Sequence, residues 1–141
     1  MTSRELDNLV KTGDLKAEAP DRAEFEGLVK SGRVRLTDAG NGKLAPESRF
    51  ALAYDAAHAL SLAALRRMGY RPNNKRFIVF QVLPHTLNIK AEHWRVLDNC
   101  HRRRNLAEYE GHFDVDAQLL ADLLGVAAMV MSAVMKLPPP D

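Results

Sequence analysis

Residues 77–83 read Phe77-Ile78-Val79-Phe80-Gln81-Val82-Leu83. In isolation this short, β-branched run has the composition of a buried strand. No partner strand is evident elsewhere in the chain, and a lone strand would leave its backbone groups unpaired. The run is therefore read as a buried helix that ends at or near Pro84, which makes the expected fold all-α.

Working outward, the segment before it carries the clearest helical pattern. Pro46-Glu47-Ser48 opens a helix in which Phe50, Tyr54, Ala57, Leu60, Ala64, Leu65 and Met68 recur near a 3.6-residue period. Gly69 is placed to cap it, and Tyr70-Arg71-Pro72-Asn73-Asn74 reads as a turn. Alanines at 51, 53, 56, 57, 59, 63 and 64 let a neighbouring helix approach closely. Further upstream, Pro20-Asp21 opens a helix whose apolar side is Phe25, Leu28, Val29 and Leu36, ending near Ala39-Gly40. Residues 3–11 form a short N-terminal helix with Leu6, Leu9 and Val10 on one side.

Downstream, a helix starts at Asn88 or a neighbour and runs through Trp94, Leu97, His101 and Arg104 to Gly111. Asp114 is the expected N-cap of a last helix with a broad stripe of Leu119, Leu120, Leu123, Leu124, Ala127, Val130, Met131 and Val134. Pro138-Pro139-Pro140 prevents its continuation. The chain thus divides into an N-terminal helix and linker (1–19), a bundle of four to five main helices (20–136) and a Pro-rich tail (137–141).

With 141 residues, the chain suits one domain. Its 46% hydrophobic and 27% charged content excludes wholesale disorder. The single cysteine, Cys100, excludes an internal disulfide and metal sites built on cysteine pairs. No metal or cofactor is expected. No charged-then-apolar leader and no apolar run long enough to span a bilayer is recognised, so a cytoplasmic protein without membrane contact is expected. The net charge of +2 is unevenly spread: residues 46–111 hold eleven Lys and Arg against six Asp and Glu. Such a basic middle either attracts phosphate backbones or is a solvated face.

The helix before Gly111 is unusual in its polarity. His101, Arg102, Arg103, Arg104 and Asn105 are consecutive and wrap more than half a helical turn. Arg104 and Glu108 share one face, as do Asn105 and Tyr109. An Arg104–Glu108 pair would hold the guanidinium extended, with Asn105 and Tyr109 presenting an amide and a phenol. The cluster offers cations for a phosphate, an amide for a base or sugar, and a phenol that stacks or hydrogen-bonds. The plainer alternative is a polar network that fastens this helix to its neighbours.

The basic turn His101-Arg102-Arg103-Arg104 with "RNLAEYEG" (104–111) looks like the final motif helix of HEPN-domain proteins. The resemblance extends to "ESRFALAYDAAHALSLAALRRMGYRP" (47–72), to "FIVFQVL" and to the last apolar helix, covering roughly residues 20–136. It implies a helical bundle that often dimerises, with two motif helices at a shared cleft. It also implies RNA or nucleotide interaction, in many members as metal-independent ribonucleases of toxin–antitoxin or defence systems. Others partner nucleotidyltransferases, so an antitoxin or a nucleotidyltransferase is an implied partner.

By resemblance, Arg104 is the motif arginine that binds the scissile phosphate, and Asn105 the polar residue after it. The family's histidine follows that arginine after four to six residues, which here are the positions of Tyr109, Glu110 and Gly111. His112 lies one position further on. The implied catalytic set is Arg104, Asn105, Tyr109 and His112, with His101, Arg102, Arg103 and Glu108 contacting nucleic acid. His101, one turn before Arg104, is the most plausible substitute proton carrier. His58, between alanines, reads as a packing or surface histidine, and Asp55 as isolated. Arg66, Arg67, Arg71, Lys75 and Arg76 form either a phosphate-backbone patch or a solvated corner. The competing function is a non-catalytic helical dimer or partner-binding module.

Overall fold

A computed structural model describes residues 3–111 and 114–141. The chain is mostly helical, in the order α1 (Arg4–Lys11), β1 (Leu15–Ala17), α2 (Arg22–Ala39), α3 (Pro46–Arg67), β2 (Tyr70–Pro72), α4 (Ile78–Gln81), α5 (Leu83–Thr86), α6 (Ala91–Glu110) and α7 (Ala117–Met135). The all-α expectation holds at this level: four long helices form the body, and the run at 77–83 contributes to two short helices, α4 and α5.

The helix ends follow ordinary capping chemistry. The Asp21 carboxylate accepts the Glu24 amide at 2.8 Å to start α2, and Pro46 occupies the first turn of α3. Gly111 closes α6 in the left-handed conformation at φ +80°, which a side chain would strain.

α2 and α3 pack antiparallel, and three pairings fix their register. The Arg66 Nε donates to Glu24 at 2.6 Å, Gly32 faces Leu60, and the Arg49 Nε donates to the Ala39 carbonyl at 2.9 Å. Gly32 is required there: a Cβ at this position would lie 2.5 Å from Leu60 Cγ. Fully buried Ala53, Ala56, Ala57 and Ala63 keep α3 slender enough for neighbours on several sides. α7 covers α3 with Leu119, Leu120, Leu123, Val126, Ala127, Val130 and Val134. Phe80, Val79 and Leu83 plug the space between α3 and α6.

Residues 3–19 contribute to this same core through Leu6 and Leu15, both fully buried. Arg66, 2% exposed, ties them down. Its guanidinium reaches Glu24, the Glu18 and Ala19 carbonyls and the Tyr70 carbonyl, so every part of this buried cation has an acceptor. Tyr70 also donates its hydroxyl to Asp7.

The structure corrects several expectations. Residues 70–72 are a strand, not merely a turn: β2 pairs antiparallel with β1, Lys16 opposite Arg71. Strands of three residues are too short to show alternation in a sequence. The run at 77–83 is two single helical turns broken at Val82, and Pro84 sits in the first turn of α5 instead of ending a helix. α6 starts at Ala91 because Asn88 takes φ +55°, outside the right-handed helical region. The N-cap of α7 is Asp116, whose carboxylate accepts the Gln118 amide at 3.0 Å, and not Asp114. Finally, α7 is itself long and apolar enough to cross a bilayer, with mean hydropathy 1.8, contrary to the reading that no such run exists. Its inner face is packed against the core, and its outer face carries Met129 and Met135.

Candidate functional site

A cavity of about 400 Å³ opens where α2, α3, α6 and the segment before α4 meet. That is within the size range of small-ligand sites. The antiparallel register places its residues in order. Leu28 on α2 stands level with Leu62 on α3, Ser31 with Ala59 and His58, and Arg35 with Asp55 and Tyr54. Arg76 and Phe77 close one side, and His101 and Arg104 come from α6.

Tyr54 organises one end. Its hydroxyl lies 2.8 Å from His101 Nδ1, and the Asn105 amide nitrogen lies 3.1 Å from His101 Nε2. With that amide donating to Nε2, the neutral imidazole carries its proton on Nδ1 and donates it to the Tyr54 oxygen. The phenol proton is then left for another acceptor. The Arg104 guanidinium carbon sits 4.8 Å from the centre of the Tyr54 ring, within cation–π range. Phe77 lies against the other side of His101, ring centres 4.9 Å apart.

His58 occupies the middle of the cavity. Its Nε2 is 3.2 Å from the Arg76 carbonyl, which only accepts, so Nε2 holds the ring proton and Nδ1 is the bare nitrogen. Burial, then the positive charge of Arg76, pushes the His58 pKa down. Burial likewise lowers that of His101, with Arg104 acting the same way and Asp98 opposing. Both imidazoles are therefore neutral near pH 7. Burial raises the Tyr54 pKa against the pull of Arg104.

Two sets of cations stand out. Arg66 and Arg71 are each held by Glu18 and Glu24, at 2.6–3.4 Å, and belong to the framework. Among the described residues, Arg35, Arg76 and Arg104 have no carboxylate within ion-pair distance, yet all three line the cavity. Among the described residues, Arg35 bonds to Ser31, through its carbonyl and its hydroxyl. Asp55 is the one carboxylate among the described residues of the cavity lining. The arrangement presents guanidiniums and a phenol to an anion.

The expected site residues are distributed unevenly around this cavity. Arg104 and His101 line it, and Asn105 reaches it through His101. Arg102, Arg103 and Glu108 are exposed, and Arg102 pairs with Asp98 at 3.6 Å. Arg104 makes no ion pair with Glu108; the two instead border a separate groove with Glu47, Phe50 and Ala107. Tyr109 is 94% exposed and is not among the residues that line the cavity. His112 lies outside the described residues. Cys100 is buried, and its thiol is pushed up to about 12, chiefly by burial, so the nearby arginines do not activate it.

Sequence reading missed Tyr54, Asp55 and His58 on α3, and Arg35 on α2. Tyr54, Asp55 and His58 lie at spacings that share a helix face, which was a usable signal. Arg35 gave none, because its role depends on the register between two helices. Compared with protein-family models, with curated proteins and with solved structures, the chain matches none.

Proposed function

We propose that this is a HEPN-like protein that binds RNA or a nucleotide through the cavity built on Arg104, Tyr54 and His101. The observation that carries the reading is the convergence of Arg35, Arg76 and Arg104, none ion-paired, on one concave surface. Unpaired guanidiniums facing each other repel, and they are tolerated when an anion completes the set. A phosphate fits that requirement and takes guanidinium donors in pairs. The link to RNA, and to toxin–antitoxin or other defence roles, comes from the resemblance of residues 104–111 and of the helix order around them.

The test is to incubate the protein with mixed RNA in EDTA, wild type beside Arg104→Ala, following binding and cleavage together. Salt-sensitive binding that Arg104→Ala loses while its circular dichroism is unchanged supports the reading. Binding unaffected by the substitution refutes it. Cleavage lost in the same variant would make the protein a ribonuclease.

A second reading, a helical dimer or partner-binding module, is favoured by Leu106 and Tyr109. They are 51% and 94% exposed and three residues apart on α6. Large apolar side chains so placed mark contact surfaces. A concentration-dependent mass in sedimentation, abolished by Tyr109→Ser, would support it.

A further inference from the structure

The cavity has two chemically different ends. Leu28 and Leu62 form an apolar end, with Ala59 beside them. Arg35, Tyr54, Asp55 and Arg104 form a polar end. Leu28 and Arg35 are seven residues apart on α2, so the ends are separated by about 10 Å at 1.5 Å per residue. Between them stand His58 and the Arg76 carbonyl that holds it.

The charge of the lining is equally specific. Among the described lining residues three guanidiniums face one carboxylate, Asp55, and burial disfavours the charged forms of His58 and His101. The Tyr54 phenol is also neutral. The lining therefore carries two positive charges. A phosphate monoester carries about −1.5 to −2 at pH 7, whereas an internal phosphodiester carries a single charge.

We propose that the cavity takes one nucleoside monophosphate, with its phosphate at the Arg35–Arg104 end and its base at the Leu28–Leu62 end. The ligand is either a free mononucleotide or the phosphorylated end of an RNA strand. This rests on the reading that the cavity binds RNA or a nucleotide, and it deepens that reading from phosphate in general to a terminal phosphate. The base gains apolar contact at one end, and the phosphate gains the phenol proton and guanidinium donors at the other.

Calorimetric titration tests this with six probes: a nucleoside 5′-monophosphate, the unphosphorylated nucleoside, inorganic phosphate, and a short RNA bearing a 5′-phosphate, a 3′-phosphate or neither. The expected result is that the monophosphate, or an end-phosphorylated RNA, binds at least roughly tenfold tighter than its unphosphorylated form. Binding of the free monophosphate assigns the site to mononucleotides. Binding only of phosphorylated RNA assigns it to strand ends. Arg35→Gln, on the exposed side of α2, should remove the preference for a terminal phosphate. Leu28→Ser should weaken the monophosphate while leaving inorganic phosphate unchanged. Equal binding of all three RNAs overturns the terminal-phosphate proposal and leaves the broader reading standing. Absence of binding by every probe overturns both.

Discussion

The Tyr54 hydroxyl and the His101 Nδ1 lie 2.8 Å apart across 47 residues of chain, and this contact joins α3 to α6 at the mouth of the cavity. It also aligns Arg104, whose guanidinium rests over the same Tyr54 ring. Tyr54→Phe keeps the ring and removes the hydroxyl. The expected loss is about 0.5–1.5 kcal/mol of stability, that of one hydrogen bond, read from denaturant melts. Tyr54→Leu also removes the cation–π contact and should cost more. Equal stability of wild type and Tyr54→Phe would mean that the contact does not join the helices.

Acidification should destabilise the protein through His58 and His101. Both have pKa values below the ordinary 6.5 in the fold, chiefly from burial. The unfolded chain therefore binds more protons once the pH falls below that value, and the stabilisation present above it is lost on the way down. Thermal melts at about pH 7.5 and about pH 5.5 should show this as a lower midpoint in acid. The double variant His58→Gln, His101→Gln should show a smaller difference between the two.

Glu24 holds both framework arginines, Arg66 and Arg71. Burial opposes its charge, but hydrogen bonds from Arg71 and Arg66 outweigh that and hold its carboxyl below the usual range. Glu24→Gln keeps an amide oxygen as acceptor but leaves the nearly inaccessible Arg66 with Glu18 as its remaining carboxylate partner. We expect a loss of roughly 2–3 kcal/mol, under the 3–5 typical of a fully buried pair, because Glu24 retains some solvent contact. A urea melt measures it.

Two glycines on α2 should respond oppositely to alanine. At Gly27 nothing lies within 4 Å of a new Cβ, so Gly27→Ala should gain about 0.5–1 kcal/mol of helix propensity. At Gly32 the new Cβ meets fully buried Leu60, and overpacking of about 1–3 kcal/mol exceeds that gain. A stabilised Gly32→Ala would contradict the α2–α3 register from which the two ends of the cavity were placed.

What the sequence made legible follows from range. Helix starts at Asp21 and Pro46 and the stop at Gly111 are local chemistry and were readable. The β1–β2 pairing was not, because Lys16 and Arg71 meet only once the chain has folded. The same holds within the site. Arg104 and His101 stand out as a basic turn on one helix. His58 looked like packing until the fold set it beside Arg76, and nothing in the sequence singled out Arg35, which only the register sets level with Asp55.

The most direct test of the central claim is where an RNA oligonucleotide perturbs the protein. Side-chain NMR signals of the arginine Nε–H groups and histidine rings report each residue during a titration. The account predicts that Arg35, Arg76, Arg104, His58 and His101 shift together and saturate at one ligand concentration. Shifts confined to the exposed Arg102 and Arg103, with the cavity residues unmoved, would contradict it.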